Sequence, residues 1–236
     1  MDRVMTVATL KRAGLLHTVP ALAASFDTAL AASSPGIDLV QIVDPSLLAD
    51  AIRGGVTPDV TERVARHIGY LVDAGAQAIL VTCSSIGEAV EAAAADRDLP
   101  VLRVDAPMAS EAVGLALDAG RAAGRAGRIV VLATLEATLG PTGRLIAREA
   151  AGEDVHVDVR IVDGALNART SGDQHTHDVL IREAISASAS EADVIVLAQA
   201  SMAGAMSGTH TPVPVLTSPE GGIAALTHSL DQRFTD

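Results

Sequence analysis

The chain has 236 residues, 49% of them apolar and 19% charged, enough to bury a sizeable core in one large domain or in two small lobes sharing a cleft. A net charge of −12, two Phe, one Tyr and no Trp exclude both the basic patches and the stacking platforms of nucleic-acid binders. One lysine, Lys11, in a polar N-terminal stretch argues against a pyridoxal Schiff base, and one cysteine, Cys83, excludes an internal disulfide and fits a reducing compartment.

In chain order, short runs rich in β-branched residues alternate with Ala-rich segments. Residues 15–18 form the first expected strand, ending in His17-Thr18. Lys11, Arg12 and His17 interrupt any signal h-region there, and Ala21-Leu22-Ala23 reads as a helix start rather than a cleavage site. No apolar run reaches membrane-spanning length, so a cytoplasmic protein with no membrane contact is expected. Strands follow at 39–44, closing on Asp44, at 78–83, closing on Cys83, and at 101–105. Gly54-Gly55 with Thr57-Pro58-Asp59 is a loop and helix cap, and 61–74 is a helix. A second set of strands covers 129–134, 157–163, 194–199 and 213–218, with a helix at 178–189. Strand–helix alternation implies parallel sheets covered by helices on both faces.

The two halves correspond in order. Ile42-Val43-Asp44 answers Ile161-Val162-Asp163, and Thr18 answers Thr134. Val81-Thr82-Cys83-Ser84-Ser85 answers Leu197-Ala198-Gln199-Ala200-Ser201, and Pro100-Val101-Leu102 answers Pro214-Val215-Leu216, all roughly 116 residues apart. We read an internal duplication: an α/β fold of two pseudo-symmetric lobes, each a short parallel sheet flanked by helices, with the active site in the cleft between them. The expected lobes are 1–105 with 220–236, and 106–219. Ligands of parallel sheets sit beyond the carboxyl ends of the strands, so the polar residues closing these runs are the site candidates.

Cys83 ends a buried strand ahead of Ser84-Ser85, where a helix start should stabilise a thiolate and lower the thiol pKa; the bland alternative is a packed, inert cysteine. Ser84 and Ser85 offer hydroxyls and backbone N–H groups for a carboxylate, or simply cap the helix. Gln199 and Ser201 occupy the mirrored turn, Gln199 to orient substrate or water, Ser201 to cap. Asp44 recognises a hydroxyl or amine, or forms a turn before Pro45. Arg103 and Asp105 share a strand face and pair with each other. Gly172 to Asp178 contains His175-x-His177; the spacing fits no usual zinc signature, so no metal is expected. That segment reads as a helix start or a mobile lip whose histidines donate a proton or hydrogen bond to substrate. No G-x-G-x-x-G follows the first strand and no Walker pattern occurs.

The turns Thr82-Cys83-Ser84-Ser85, Gln199-Ala200-Ser201-Met202 and Ala133-Thr134-Leu-Glu-Ala-Thr138 resemble the aspartate/glutamate/hydantoin racemase superfamily, from about Leu15 to about Ala225. The resemblance implies two pseudo-symmetric α/β lobes, no cofactor, a small carboxylic-acid substrate, carboxylate binding by Thr134 and Thr138, and assembly into a homo-oligomer. A loop and helix cap around Gly140-Pro141 is the alternative for the two threonines. The family places two cysteines across the substrate; here Cys83 matches the first and Gln199 stands at the second. A carboxamide neither accepts nor donates a proton near neutral pH, which puts two-base racemisation in doubt. The expected function is carbanion or enediolate chemistry on a small acid, with Cys83 as acid/base or nucleophile and His17 and Thr18 beside it. The rivals are a cofactor-free decarboxylase with Cys83 as single proton donor, isomerisation by covalent addition of Cys83 to a double bond, and a non-catalytic small-acid binding relic.

Overall fold

The computed structural model describes residues 11–95 and 97–233. Its first sheet holds β1 (Arg12–His17), β2 (Asp38–Val43), β3 (Ala78–Val81) and β4 (Val101–Arg103), in the order β2-β1-β3-β4. The second holds β5 (Gly127–Ala133), β6 (Val155–Ile161), β7 (Val194–Leu197) and β8 (Val215–Thr217), in the order β6-β5-β7-β8. Every pairing is parallel, and the two orders are the same permutation, as a duplicated unit requires.

Period-two side-chain alternation explains the layering. In β3, Ile79 and Val81 enter one core with Val60, Val64, Ile68 and Leu71 of α3 (Pro58–Asp73), while Ala78 and Leu80 enter another with Phe26 and Leu30 of α1 (Pro20–Ser33). In β7, Val194 and Val196 face α5 (Ala106–Ala123) and α6 (Glu136–Glu149). Ile195 and Leu197 face α7 (Ala165–Thr170) and α8 (Gln174–Ser188). Both sheets are thus buried on both faces, which is why their strands read as unbroken apolar runs. The C-terminal helix α9 (Ser218–Gln232) returns to the first sheet, where Ile223, Leu226 and Leu230 join Leu15 and Leu80. Among the described residues no helix is long and apolar enough to cross a membrane.

Two remaining helices, α2 (Pro45–Gly54) and α4 (Gly87–Ala94), border the cleft. Arg103 is buried beneath α4. It donates from Nε to Asp105 Oδ1 (2.9 Å) and from Nη2 to Oδ2 (2.7 Å), and from Nη1 to Glu91 (2.6 Å), so the expected Arg103–Asp105 pair is present. Gly87 opens α4 because a Cβ there would lie 2.2 Å from the Arg103 guanidinium carbon. Gly140-Pro141, for which a loop and helix cap is the alternative reading, lies inside α6, which starts at Glu136; Pro141 merely leaves the Ala137 carbonyl without its helical donor. Of the two readings of 172–178, helix start or lip, the structure has the helix start: the segment is the cap and first turn of α8, where Asp173 accepts from Thr176 N (2.9 Å).

Candidate active site at the facing sheet edges

The carboxyl ends of β3 and β7 meet around a cavity of about 340 Å³. Cys83, Ser84 and Ser85 enter it from the turn after β3, with Gln199 and Ser201 from the mirrored turn after β7. Thr18 reaches in after β1, and Thr138 from α6. Both strand-end turns run directly into 3₁₀ turns, Ser84–Ile86 and Ala200–Met206, so the chain reverses sharply at the cavity wall. Hydroxyls stitch the lobes together here: Ser84 Oγ donates to the Ala198 carbonyl (3.0 Å), and Ser85 Oγ and Thr138 Oγ1 share a bond of 2.8 Å. Arg144–Glu88 and Arg148–Glu91 bridge the outer rim, where exposed ion pairs contribute little.

The thiol pKa departs from the expected direction. Burial pushes Cys83 upward, opposed by the Thr18 hydroxyl, the backbone N–H groups of Ser85 and Ile86, and the Ser85 hydroxyl. Desolvation of a thiolate outweighs the help of a single 3₁₀ turn, whose dipole is far smaller than that of a full helix. Cys83 is therefore a neutral thiol, with donors already aimed at the charge it would carry as a thiolate. Thr18 Oγ1 is buried at the sulfur side of the cavity, where Cys83 is the group it acts on.

On the opposite side Gln199 is fixed. Its Oε1 accepts from the backbone N–H of Thr134 (2.6 Å) and from Thr134 Oγ1 (2.9 Å), which leaves the NH₂ end for the cavity. Thr134 itself does not line the cavity; it sets the orientation of Gln199. The first lobe has a related contact, since His17 Nδ1 meets Thr82 Oγ1 at 2.8 Å. His17 Nε2 donates to Gln41 Oε1 (3.0 Å), and burial lowers the imidazole pKa despite that bond, so the ring is a buried neutral spacer behind the wall.

The other expected site residues stand apart from the cavity. Asp44 caps α2, accepting from Ser46 N (2.9 Å) and from His67 Nε2 (2.8 Å) and pairing with Arg63. Burial opposes ionisation, but these donors hold its carboxyl well below the usual range. His175 is exposed, whereas His177 is buried with Nδ1 at 2.9 Å from Asp178 Oδ1, so the two histidines share no site. Among the described residues no three His, Cys, Asp or Glu side chains converge as metal ligands would.

A match to the Asp/Glu/hydantoin racemase family model spans residues 16–226, nearly the whole chain. The chain belongs to that family. Solved structures agree in fold. Picrophilus torridus aspartate racemase superposes with a TM-score of 0.69 at 16% identity, covering 94% of each chain. Klebsiella pneumoniae allantoin racemase gives 0.69 at 16%, covering 94% of this chain and 88% of its own. A Francisella tularensis glutamate racemase in complex with D-glutamate gives 0.69 at 14%, covering 95% and 82%. No curated protein sequence matches this one significantly.

Within this family fold, sequence reasoning overlooked the walls. Leu48 and Ile52 of α2 and Leu166 and Thr170 of α7 present the same i, i+4 face to the cavity from opposite sides. Arg169 joins them from α7. The available signal was its place in a short, otherwise uncharged helix just past the carboxyl end of β6.

Proposed function

We propose that the protein is a cofactor-independent enzyme that forms and reprotonates a carbanion or enediolate beside the carboxylate of a small acid, with Cys83 as its one acid/base group. One observation carries this reading. A thiol closes the β3 end of the cavity, and a carboxamide pinned by Thr134 closes the β7 end. Charge that develops next to a carboxylate spreads onto its oxygens, and fixed N–H and O–H dipoles are the groups that stabilise it. Gln199 can hold an oxygen through its NH₂ group but cannot pass a proton, so proton traffic falls to the sulfur. A planar intermediate served by one sulfur receives its proton on one face.

Decarboxylation is a second reading, favoured by two features. Burial keeps Cys83 protonated, as a donor must be, and Val19, Leu22, Leu48, Ile52, Leu135 and Leu166 make the walls largely aliphatic. A carboxylate held against aliphatic walls loses hydration, which favours its departure as neutral CO₂. The electron pair of the broken C–C bond stays on carbon, the thiol proton goes to that carbon, and solvent reprotonates the thiolate.

The test is a panel of small carboxylic and malonate-type acids in D₂O, followed by NMR with CO₂ release in parallel. Wild-type protein should exchange or decarboxylate at least one acid. Cys83→Ala should do neither while melting at an unchanged temperature. Equal rates for the two proteins would remove the thiol from the mechanism.

A further inference from the structure

The cavity beside Cys83 carries one charged side chain, and it is a cation. Arg169 and Thr170 face it from the last turn of α7, and no Asp, Glu, His or Lys among the described residues lines it. The guanidinium of Arg169 has no hydrogen bond or ion pair to any described residue, whereas the other part-buried arginines are all engaged. Arg12 meets Asp38, Arg63 meets Asp44 and Asp50, Arg97 meets backbone carbonyls, and Arg160 meets Asp158; even Arg182 reaches the Ala205 carbonyl at 3.4 Å. Burial has removed enough water to lower the Arg169 pKa, with no carboxylate nearby to offset the loss. A partly desolvated guanidinium with no protein partner presents its N–H fork to the cavity, and a bound anion supplies the acceptors that match it.

The surroundings narrow the choice of anion. Beyond Arg169 lies an adjoining cavity of about 440 Å³ that shares Leu22, Arg169, Ala200 and Ser201 with the first. Phe26, Ala29, Ala203 and Ile223 make much of its wall apolar. Arg169 therefore borders both the thiol's cavity and a largely apolar annex. An α-ammonium group in this space would meet no carboxylate and would sit near a like charge.

We propose that Arg169 binds the substrate carboxylate through its planar fork, and that the substrate is an apolar carboxylic acid lacking an ammonium group, its side chain reaching into the annex. This rests on the small-acid reading above and names the kind of acid. A guanidinium–carboxylate fork fixes the acid's plane as well as its charge, which a mobile hydroxyl does not do.

Calorimetric titration with three molecules of one skeleton tests the assignment without requiring turnover. Phenylacetate carries the carboxylate alone, phenylacetamide removes the charge, and phenylglycine adds an ammonium. Wild-type protein should bind phenylacetate roughly tenfold or more tighter than either of the others. Arg169→Gln should bring phenylacetate down to the level of phenylacetamide. Arg169→Lys should restore part of the difference, because it returns the charge without the fork. Both variants should melt with the wild type, and the lysine variant keeps the test alive if the glutamine variant does not fold. The assignment is overturned if phenylacetate does not bind, if phenylglycine binds as tightly, or if Arg169→Gln leaves affinity unchanged. Binding that depends on Arg169 without exchange or CO₂ release in any acid would defeat the thiol chemistry and leave this assignment standing. Exchange that proceeds unaltered in Arg169→Gln would do the reverse.

Discussion

Replacing Gln199 by methionine, similar in length but without a strong acceptor, probes how the β7 side of the cavity is held. Gln199 Oε1 is the acceptor for two donors of buried Thr134, the backbone N–H at 2.6 Å and the hydroxyl at 2.9 Å. Methionine strands both. The hydroxyl can rotate towards another acceptor, but the N–H is fixed by the end of β5. An orphaned buried donor costs about 1–3 kcal/mol, and the hydroxyl bond adds about 0.5–1 kcal/mol. The expected loss is therefore about 1.5–4 kcal/mol, or a fall of about 3–16 °C in Tm for a domain of this size. Gln199→Glu keeps an acceptor oxygen in place and should lose less than half as much. Differential scanning calorimetry gives the shifts, and a double-mutant cycle isolates the contact. Thr134→Val should be appreciably less harmful on the Gln199→Met background than alone. If Gln199→Met melts with the wild type, or if the two changes add independently, Thr134 does not organise this side of the cavity.

Two further outcomes follow from the same geometry. The native Cys83 thiol holds its proton at pH values where the unfolded thiol has lost it, so its contribution to stability is complete below the unfolded pKa and is lost as pH rises through the higher native one. Iodoacetamide should therefore alkylate Cys83 slowly at neutral pH, with a rate profile whose midpoint lies above that of an ordinary cysteine; a midpoint below it would contradict the burial argument. Gly87→Ala would place a methyl 2.2 Å from the Arg103 guanidinium carbon, forcing the bidentate pair with Asp105 apart and leaving a buried charge. Breaking a buried pair costs about 3–5 kcal/mol, measurable by urea denaturation, and a loss under about 1 kcal/mol would show that Arg103 moves aside freely.

The strands and their duplication were legible because each central strand is buried on both faces. Ile79-Leu80-Val81 and Val194-Ile195-Val196-Leu197 can be continuous apolar runs only in a doubly covered sheet. The residues closing those runs, Cys83 and Gln199, were legible for the same topological reason. What escaped reading depends on side-chain direction. Asp44 ends β2 as expected, yet Arg63 and His67 of α3 draw it away from the cavity, and no local pattern announces a contact made across helices. His177 looked like a site residue from its polar neighbours, but helical rotation turns it inward while His175 turns to solvent. Arg169 was overlooked because sequence shows an arginine without showing whether it has a partner. The thiol pKa was misjudged because burial of Cys83 is a tertiary property, and it outweighs the helix-start context that sequence displays.

In the proposed reaction one sulfur serves one face of the reacting carbon. The most direct measurement is the stereochemical course in D₂O on an acid that the enzyme turns over, taken at low conversion and read by NMR with a chiral shift reagent. One-sulfur chemistry places deuterium on a single face, gives a product of one hand, and leaves no label in Cys83→Ala. Deuterium on both faces at low conversion would contradict it, because Gln199 cannot deliver a proton and a second acid/base group would then have to act from the opposite wall.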